Sequence, residues 1–346
     1  MAEFEEIGHT GGKIEIKINS FRYSHSNPTP CTLHEILVLG DGTPIRYLPA
    51  SGIGETVAPP FGTFPVLLIS DEEGFFGRIC PSCKKYFRTQ SLGPSMYCPY
   101  CGHLGSFATF FTANQLRYTH AVIEAYLSVS EDTGVTIDLD HIIDSLPDNK
   151  SNPFVYSEER QQRRVECTCR NVYDILGEYG FCPYCNRRNT LQVFEERLQK
   201  LEERLEPTQG ELIDILKNSL SDFEGLANDL RDQLLRIPAT KKRKTDIAKI
   251  NFQNVLDANE KIKNWFDIDF LELRADEKTF LNRSFNRRHL FTHKTGVVDD
   301  VYLKRTGDTT VRLGQKLSIT SEEVKKLLGL IKVIGRKFFS EYESVA

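Results

Sequence analysis

Hydrophobic and polar residues alternate near the N-terminus, and this alternation predicts short β-strands. Isoleucine alternates with charged residues over residues 13–18, and apolar runs occupy residues 36–39 and 65–69, with a Gly-Asp-Gly turn signal at residues 40–42. A period of two is typical of a half-buried strand, and short apolar runs bounded by glycine are typical of buried strands. We therefore expect residues 1–75 to form a small β-rich module.

In the C-terminal half, apolar residues recur every three or four positions, which is the period of a helix. The period holds from Gln209 onwards and predicts four helices, over residues 212–237, 246–266, 276–293 and 321–342. Such helices are expected to bury their apolar faces against one another as a bundle. Ser321 is suited to cap the last helix, because two glutamates follow it and acidic residues are favoured in a first turn.

Two shorter amphipathic segments precede the predicted bundle. Residues 112–130 predict a helix, and an irregular, proline-containing stretch follows it. Residues 190–208 predict a connector helix with an apolar stripe made of Phe194, Leu198, Leu201 and Leu205. In so short a helix, a stripe of this kind is more often part of a core than the seam of a coiled coil.

Eight of the nine cysteines fall into four close pairs, which predicts two metal sites. The pairs are Cys80 with Cys83, Cys98 with Cys101, Cys167 with Cys169, and Cys182 with Cys185. Fourteen residues separate the first two pairs, and two knuckles at that spacing can offer four thiolates to a tetrahedral Zn²⁺. Residues 181–185 repeat residues 97–101 almost identically, so we predict a second zinc ribbon after the first, with the two ribbons as separate lobes.

The predicted knuckles need a residue that tolerates left-handed backbone after the second cysteine. Gly102 supplies one, and Asn186 can supply the other. Four thiolates close the coordination shell of a zinc ion, so both predicted zinc ions are structural. An exchange of pairs between the two quartets stays open, and the Cys-Pro-Tyr-Cys segments are also similar to the redox motif of glutaredoxins. Cys31 belongs to none of the pairs.

Four aromatic residues and one arginine around the first predicted ribbon allow two interpretations. They could stack nucleobases or meet a protein partner, or they could form the miniature core of the ribbon. The residues concerned are Tyr86, Phe87, Arg88, Tyr97 and Tyr100.

Composition and charge are those of a globular protein of two or three domains. The chain has 346 residues, of which 40% are hydrophobic and 27% charged. Its formal net charge of −4 provides no overall basic field, so any contact with RNA must rely on local patches. The acidic N-terminal residues do not resemble a secretion signal, and no apolar run is long enough to span a bilayer, so we expect a cytoplasmic protein without a membrane segment.

Two local clusters of basic residues could contact RNA or could be solvated faces. The second cluster, residues 241–244, precedes a predicted helix. The first cluster contains Arg160, Arg163, Arg164, Arg170, Arg187 and Arg188.

Arg288 and His293 pair a permanent cation with a group that titrates near neutral pH. A ribonuclease that uses no metal requires both chemistries, because a cation must hold the phosphate while another group moves protons. Residues five apart on an ideal helix point about 140° apart, so the pair converges only if the helix ends close to His293. Gly296 is a suitable stop just beyond it. His289 and His293 share one face and could hold a metal, but no glutamate follows the first histidine as in zinc proteases.

Residues 280–308 resemble the HEPN ribonuclease domain, and the resemblance covers approximately residues 209–339. Arg288 and His293 match its Arg-polar-x3-His motif, with His289 where asparagine is common. The resemblance implies a metal-independent endoribonuclease that acts as a homodimer or higher oligomer. His293 would move protons, Arg288 would stabilise the oxyanion, and His289 would position either the phosphate or the histidine of the other subunit. Arg287 and Lys294 would contact RNA.

Together, the patterns predict an α+β multidomain protein. Its parts are a β-rich module over residues 1–75, two zinc ribbons with an intervening helix over 76–189, the connector helix over 190–208, and a HEPN-like four-helix ribonuclease domain over 209–346. This order resembles that of zinc-finger HEPN ribonucleases of bacterial antiphage defence. It implies a role in abortive infection, an RNA substrate and a phage-encoded, ring-shaped protein as the trigger.

A different interpretation is a protein without enzymatic activity. In this interpretation the ribbons bind RNA or protein, and the helical bundle serves only to dimerise the chain.

Overall fold

A computed structural model describes most of the chain, and its residues form two compact units, Met1–Asn189 and Thr190–Ala346. Within the described residues the protein is of mixed α/β type, with eight helices and small antiparallel sheets. The described residues are 12–17, 20–25, 33–48, 60–70, 73–90, 93–128, 135–138, 141, 161–204 and 208–345. Cys31, Leu205 and Arg160 lie outside them.

The first unit begins with two three-stranded antiparallel sheets. In the first sheet, β1 (Gly12–Lys17) lies between β2 (Ser20–His25) and β10 (Val135–Asp138). In the second sheet, β3 (Leu33–Leu39) lies between β4 (Pro44–Leu48) and β5 (Thr63–Ile69). The strands predicted over residues 36–39 and 65–69 are therefore confirmed, as is the one predicted from residue 13 up to Lys17, while Ile18 lies outside the described residues.

Strand β10 is a difference from the sequence prediction. The sequence around it indicated an irregular stretch, yet β10 pairs with β1 in a register that places Lys13 opposite Asp138. A partner strand far away in the chain imposes this conformation, so the local pattern did not reveal it.

A four-stranded antiparallel sheet joins the two predicted ribbons. Its strands are β6 (Phe76–Ile79), β7 (Tyr86–Thr89), β11 (Arg163–Glu166) and β12 (Val172–Ile175), in the order β11-β12-β7-β6. Strands β7 and β12 pair with Arg88 opposite Asp174. The prediction that the ribbons are separate lobes is therefore wrong, because one backbone ladder runs through both.

The first ribbon also shares its core with the N-terminal strands. A short hairpin of β8 (Ser95–Tyr97) and β9 (Leu104–Ser106) follows the shared sheet, and α1 spans Ala113–Leu127, close to the predicted helix. One buried cluster contains Ile36 from β3, Phe87 from β7 and Val122 from α1. These strands, the first ribbon and α1 therefore pack as one body.

The second unit is built of helices and, in its described residues, contains no β-strand, as the apolar period predicts. The helices are α2 (Thr190–Glu202), α3 (Gln209–Leu234), α4 (Lys241–Ala248), α5 (Val255–Phe266), α6 (Ala275–His293), α7 (Asp300–Thr306) and α8 (Ser321–Val345). Helices α3 and α8 pack along each other, and the other long helices close a single core around them. Helix α7 was not predicted.

The predicted connector helix is α2, and its apolar stripe belongs to this core. Phe194, Leu198 and Leu201 are buried, which confirms the interpretation as core. The Phe194 ring sits over Gly335 of α8, where a Cβ atom would lie 2.4 Å from the ring carbon Cε1. Only glycine leaves room for the ring at this crossing.

Two of the predicted helices differ from the structure, one in being divided and one in the residue that caps it. The helix predicted over residues 246–266 is two helices, α4 and α5. Between them, the Asn251 side chain accepts a hydrogen bond from the Gln253 backbone N–H, which forms a turn instead of a helix. The last helix is capped by Thr320 and not by Ser321, because the Thr320 hydroxyl accepts the Glu323 N–H while the Glu323 carboxylate accepts the Thr320 N–H.

The two glycines of α8 should respond oppositely to alanine. Gly335→Ala places a methyl group inside the Phe194 ring contact and should lower the free energy of unfolding by about 1–3 kcal/mol. At Gly329 an added Cβ atom would meet no other atom within 4 Å, so Gly329→Ala should raise the free energy of unfolding by about 0.5–1 kcal/mol. Denaturant unfolding of both variants tests the contact, and a neutral Gly335→Ala would contradict it.

Candidate functional site

The eight paired cysteines form two separate groups of four. In the first ribbon, the Sγ atoms of Cys80 and Cys101 are 3.6 Å apart, as are those of Cys83 and Cys98. Within each group all four sulfurs lie within 4.8 Å of one another. A tetrahedral zinc ion with Zn–S bonds of about 2.3 Å requires sulfurs about 3.8 Å apart, so the groups fit zinc.

The second group is built in the same way. The Sγ atoms of Cys167 and Cys185 are 3.6 Å apart, and those of Cys169 and Cys182 are also 3.6 Å apart. The pairs are therefore not exchanged between quartets. Each group could hold one zinc ion with its shell closed, as a structural site requires.

Left-handed residues close the Cys-Pro-Tyr-Cys knuckles as predicted. Gly102 has φ +68° and its N–H donates to the Cys98 carbonyl at 2.9 Å. Asn186 has φ +59° and its N–H donates to the Cys182 carbonyl at 3.0 Å. The prediction for both residues is confirmed.

The upstream knuckles use two left-handed residues that the sequence did not indicate. Lys84 (φ +60°) donates its N–H to the carbonyl of Cys80, four residues earlier. Arg170 (φ +69°) donates to Cys167, only three residues earlier. The second turn is thus one residue tighter, which explains how Cys-Thr-Cys can replace the usual spacing.

Burial makes the thiols of Cys98 and Cys182 poor redox groups. Burial raises the pKa of the Cys98 thiol and of the Cys182 thiol well above the ordinary value, although backbone N–H groups in the knuckles oppose the shift. An attacking thiol needs a lowered pKa, so this environment does not favour the glutaredoxin-like alternative. A bound zinc ion would supply the positive charge that stabilises these sulfurs as thiolates.

The two ribbons pair reciprocally, like the subunits of a symmetric dimer. The Tyr97 backbone N–H donates to the Pro183 carbonyl at 2.8 Å, and the Phe181 N–H donates to the Pro99 carbonyl at 2.8 Å. Tyr97 and Phe181 each precede the first cysteine of a Cys-Pro-Tyr-Cys knuckle, and the prolines each follow it. Exchange of equivalent contacts is the arrangement produced by an approximate twofold axis.

A buried ion pair lies on this axis. Arg88 and Asp174 are each the fifth residue after the second cysteine of an upstream knuckle, and both side chains are 2% exposed. Asp174 accepts hydrogen bonds from the Arg88 backbone N–H at 3.1 Å, the Arg88 Nε at 2.5 Å and the Gln161 N–H at 3.2 Å. Burial raises the pKa of Asp174, while the hydrogen bond and charge of Arg88 oppose the rise.

Part of the predicted aromatic and basic surface of the first unit is internal, while Arg164, Arg170 and Arg187 are exposed. Phe87 is fully buried, and Tyr100 donates its hydroxyl to the Tyr86 carbonyl at 2.8 Å, so the interpretation as a miniature core is confirmed for both rings. Arg163 and Arg164 lie 3.8 Å from Glu178 and Glu73, respectively, and Arg188 stacks over the Phe181 ring.

The second basic cluster forms the first turn of α4. Arg243 lies over the Trp265 ring with its Cζ 4.9 Å from the ring centre, while Lys241 and Lys242 are exposed and Lys244 is half-buried. The two exposed lysines therefore stay available to an anionic partner.

Helix α6 ends where the sequence predicts. Its last residue is His293, and Thr295 (φ +51°) and Gly296 (φ +80°) turn the chain away. The N–H groups of Lys294 and Gly296 both donate to the Leu290 carbonyl, which satisfies the end of the helix. The predicted stop at Gly296 is confirmed.

The structure brings Arg288, His289 and His293 together in one open cavity of about 110 Å³. The two imidazole rings lie side by side, with centroids 4.9 Å apart. The remaining lining residues are Glu224, Gln253, Phe285, Asn286, Thr292 and Arg305.

Glu224 is the main residue of this cavity that the sequence analysis missed. Its Oε1 lies 2.6 Å from Nη1 of Arg288, and both side chains are largely buried. Glu224 lies between Leu220 and Ala227 on the buried stripe of α3. An acidic residue on an apolar helix face is the signal that could have identified it.

Arg287 and Lys294 do not line the cavity. Arg287 is 13% exposed, its Nη1 lies 2.7 Å from Glu323, and its Nε lies 3.3 Å from the Tyr302 hydroxyl. Its Nη2 also lies 3.8 Å from the buried carboxylate of Asp308. The structure thus gives Arg287 an internal, structural environment, while Lys294 is exposed beyond the end of α6.

A metal at His289 and His293 gains no support from the geometry. Among the described residues, the two cysteine quartets are the only groups of three or more His, Cys, Asp or Glu side chains whose atoms lie close enough to share a metal. Two imidazoles alone leave a catalytic zinc one protein ligand short.

No protein-family model matches this sequence, and neither a curated protein nor a solved structure matches it. No helix in the described part of the chain is long and apolar enough to cross a membrane.

The grouping of the cysteines predicts how zinc is lost. The intact chain should bind two zinc ions, Cys80→Ser/Cys98→Ser should keep one, and Cys80→Ser/Cys167→Ser should keep none, because a closed site needs all four thiolates. Metal analysis of the purified proteins measures this. If Cys80→Ser/Cys98→Ser kept none while still folded, the quartets would share ligands.

Removing only one partner of the Arg88–Asp174 ion pair should lower the free energy of unfolding strongly. Arg88→Met should lower the free energy of unfolding by about 3–5 kcal/mol, because it leaves a buried carboxylate without its partner. Arg88→Met/Asp174→Leu should recover most of the loss, since neither of these charges is then buried. Glu73, which also pairs with Arg88 at 3.1 Å, is 28% exposed and keeps Arg164 at 3.8 Å. Unfolding of the zinc-loaded proteins, followed by zinc release, measures both effects. Additive losses in the double variant would contradict the pairing.

Proposed function

We propose that this chain is a metal-independent endoribonuclease whose active site is the cavity at the C-terminal end of α6. The observation that carries the proposal is the meeting of Arg288, His289 and His293 in that cavity. A cation beside two imidazoles supplies charge stabilisation and proton transfer, which are the two chemistries that RNA cleavage needs without a metal.

In the proposed reaction, the RNA 2′-hydroxyl attacks the adjacent phosphorus. The new P–O2′ bond forms as the P–O5′ bond breaks, which leaves a 2′,3′-cyclic phosphate and a 5′-hydroxyl. His293 takes or returns the proton that passes from the 2′-oxygen to the 5′-oxygen, and Arg288 stabilises the charge on the phosphoryl oxygens. His289 positions the phosphate.

Glu224 acts in this proposal as a positioning residue. It holds Arg288 through Nη1, and within the described residues Nε and Nη2 of Arg288 make no hydrogen bond or ion pair. Those two nitrogens can therefore face a phosphate, which suits the bidentate geometry of guanidinium. Arg305 is exposed at the same cavity and adds a second cation.

The resemblance to HEPN ribonucleases extends the proposal. It adds a dimer or higher oligomer in which two motifs face each other, and a role in prokaryotic antiphage or toxin-type defence. RNA cleavage in the cytoplasm would then halt growth when the zinc-ribbon region meets a phage-encoded protein, in the resembling case a ring-shaped oligomer. The proposal assigns this recognition to the first unit, in which the two cysteine quartets are joined by one sheet.

A second candidate function is that of a non-enzymatic adaptor. The observation in its favour is the Arg288–Glu224 ion pair, which already neutralises the cation of the cavity. In that case the ribbons bind RNA or protein, and the helical unit only associates with a second copy.

Arg288→Ala and His293→Ala should each reduce RNA cleavage by about 10²–10⁴-fold, the usual contribution of such groups. The measurement is RNA integrity in expressing bacteria, with and without phage challenge, and then with purified protein. Arg312→Ala is the matched control, because Arg312 is an exposed cation of the same unit that does not line the cavity.

Arg287→Ala separates structure from catalysis. Loss of Arg287 removes a cation beside the fully buried Asp308, so it should lower the melting temperature. Arg288→Ala should lower it less, because the Glu224 side chain that loses its partner is 15% exposed at an open cavity. If the intact chain and both cavity variants leave RNA equally intact under every condition, with folded, zinc-loaded protein confirmed, the adaptor function takes the place of the ribonuclease.

A further inference from the structure

The two ribbons have a tyrosine at the same position of the Cys-Pro-Tyr-Cys knuckle, and it is exposed only in the second ribbon. The second-ribbon tip consists of Thr168, Arg170, Tyr184, Asn186 and Arg187, all of which are exposed. We infer that this tip binds single-stranded nucleic acid by stacking a base on the Tyr184 ring. The inference goes beyond the proposed function, because the tip lies in the first unit and makes no use of the helical cavity.

In the first ribbon, the equivalent residue is Tyr100, and its hydroxyl makes two structural hydrogen bonds. The Tyr100 hydroxyl donates to the Tyr86 carbonyl at 2.8 Å and accepts the Leu176 N–H at 2.9 Å. It thereby bridges the two ribbons at a point where their backbones do not bond directly.

On the other side of the approximate twofold axis, no bridge is needed. The positions equivalent to Leu176 and Tyr86 are Gln90 and Val172, and the Gln90 N–H donates directly to the Val172 carbonyl at 3.0 Å. The Tyr184 ring is accordingly 59% exposed, and its hydroxyl makes no hydrogen bond among the described residues. Tyr184 therefore has no bridging role between the two ribbons.

The residues around Tyr184 suit a phosphate backbone. Arg170 and Arg187 are exposed cations on the two knuckles of the second ribbon, and Arg187 Nη1 donates to the Thr168 hydroxyl at 2.5 Å, which links the knuckles. No acidic residue occurs in residues 168–170 or 184–187. An exposed ring flanked by guanidinium groups is the combination that holds single strands, with stacking for the base and charge for the phosphate.

A protein partner is a weaker match for the same surface. Stable protein interfaces bury about 800 Å² on each side around a cluster of apolar anchors. Within the second-ribbon tip, Tyr184 is the only large apolar side chain, and its neighbours are short and polar or cationic. One ring with polar neighbours can hold one base but cannot form such a cluster.

The test uses the full-length, zinc-loaded chain carrying Arg288→Ala, so that the probe is not cut. Fluorescent single-stranded RNA, single-stranded DNA and duplex RNA of mixed sequence are titrated at two salt concentrations. Tyr184→Ala should weaken single-strand binding roughly 5- to 150-fold, the equivalent of about 1–3 kcal/mol of stacking. Tyr184→Phe should retain it, and Arg170→Ala/Arg187→Ala should weaken it and reduce its dependence on salt.

Phe61→Ala is the matched control, because Phe61 is an exposed aromatic residue of the same unit that does not belong to the second-ribbon tip. It should leave binding unchanged. Two zinc ions per variant and unchanged melting temperatures exclude unfolding as the cause of any loss. Equal binding by the parent and Tyr184→Ala would overturn the inference, as would no binding of single strands by the parent. RNA cleavage is not measured here, so failure of the proposed ribonuclease would leave this result unaffected.

Discussion

The buried Arg88–Asp174 ion pair is the interaction on which the first unit depends. The two residues occupy equivalent positions of an internal repeat, so two identical copies would bring Arg against Arg or Asp against Asp at the axis. Like charges at 2% exposure would be very costly, whereas the opposite charges found here favour pairing of one copy with the other. The pair therefore specifies both partner and register: each ribbon completes its sheet with the other ribbon of the same chain.

This pairing couples the metal groups to the rest of the first unit. Cys80 and Cys98 are buried in the same cluster as the N-terminal strands and α1, while Cys167 and Cys182 pack with β11 and β12. Zinc loading and folding of the sheet are thus one process, because the sulfurs are part of the core that the sheet covers. The same repeat also permits divergence. Once Tyr100 bridges the ribbons on one side, Tyr184 on the other side is free to face solvent.

The sequence allowed prediction of the features that local patterns encode. Helix periods, cysteine spacing and the stop at Gly296 depend on neighbouring residues, and all three agree with the structure. Strand β10 and the sheet through both ribbons depend on partners far away in the chain, so no local pattern revealed them. Glu224 was missed for a related reason: its position beside Arg288 depends on how α3 packs against α6. Of the cavity residues, Arg288, His289 and His293 were predicted, and their chemistry stays a prediction.

The neighbouring residues Arg287 and Arg288 illustrate how helix geometry divides structural from functional roles. Successive residues on a helix point about 100° apart, and here Arg287 and Arg288 contact different partners, Glu323 and Glu224. Arg287 faces the loop after α7, where Asp308 also accepts a hydrogen bond from Tyr302 at 2.7 Å. Burial acts to raise the pKa of Asp308, but hydrogen bonds from Thr310 and Tyr302 lower it below its ordinary value, which keeps this anchor charged. The anchor fixes the end of α7, and α7 carries Arg305 to the cavity. Arg287 thus helps to fix α7, and α7 contributes Arg305 to the cavity that Arg288 lines.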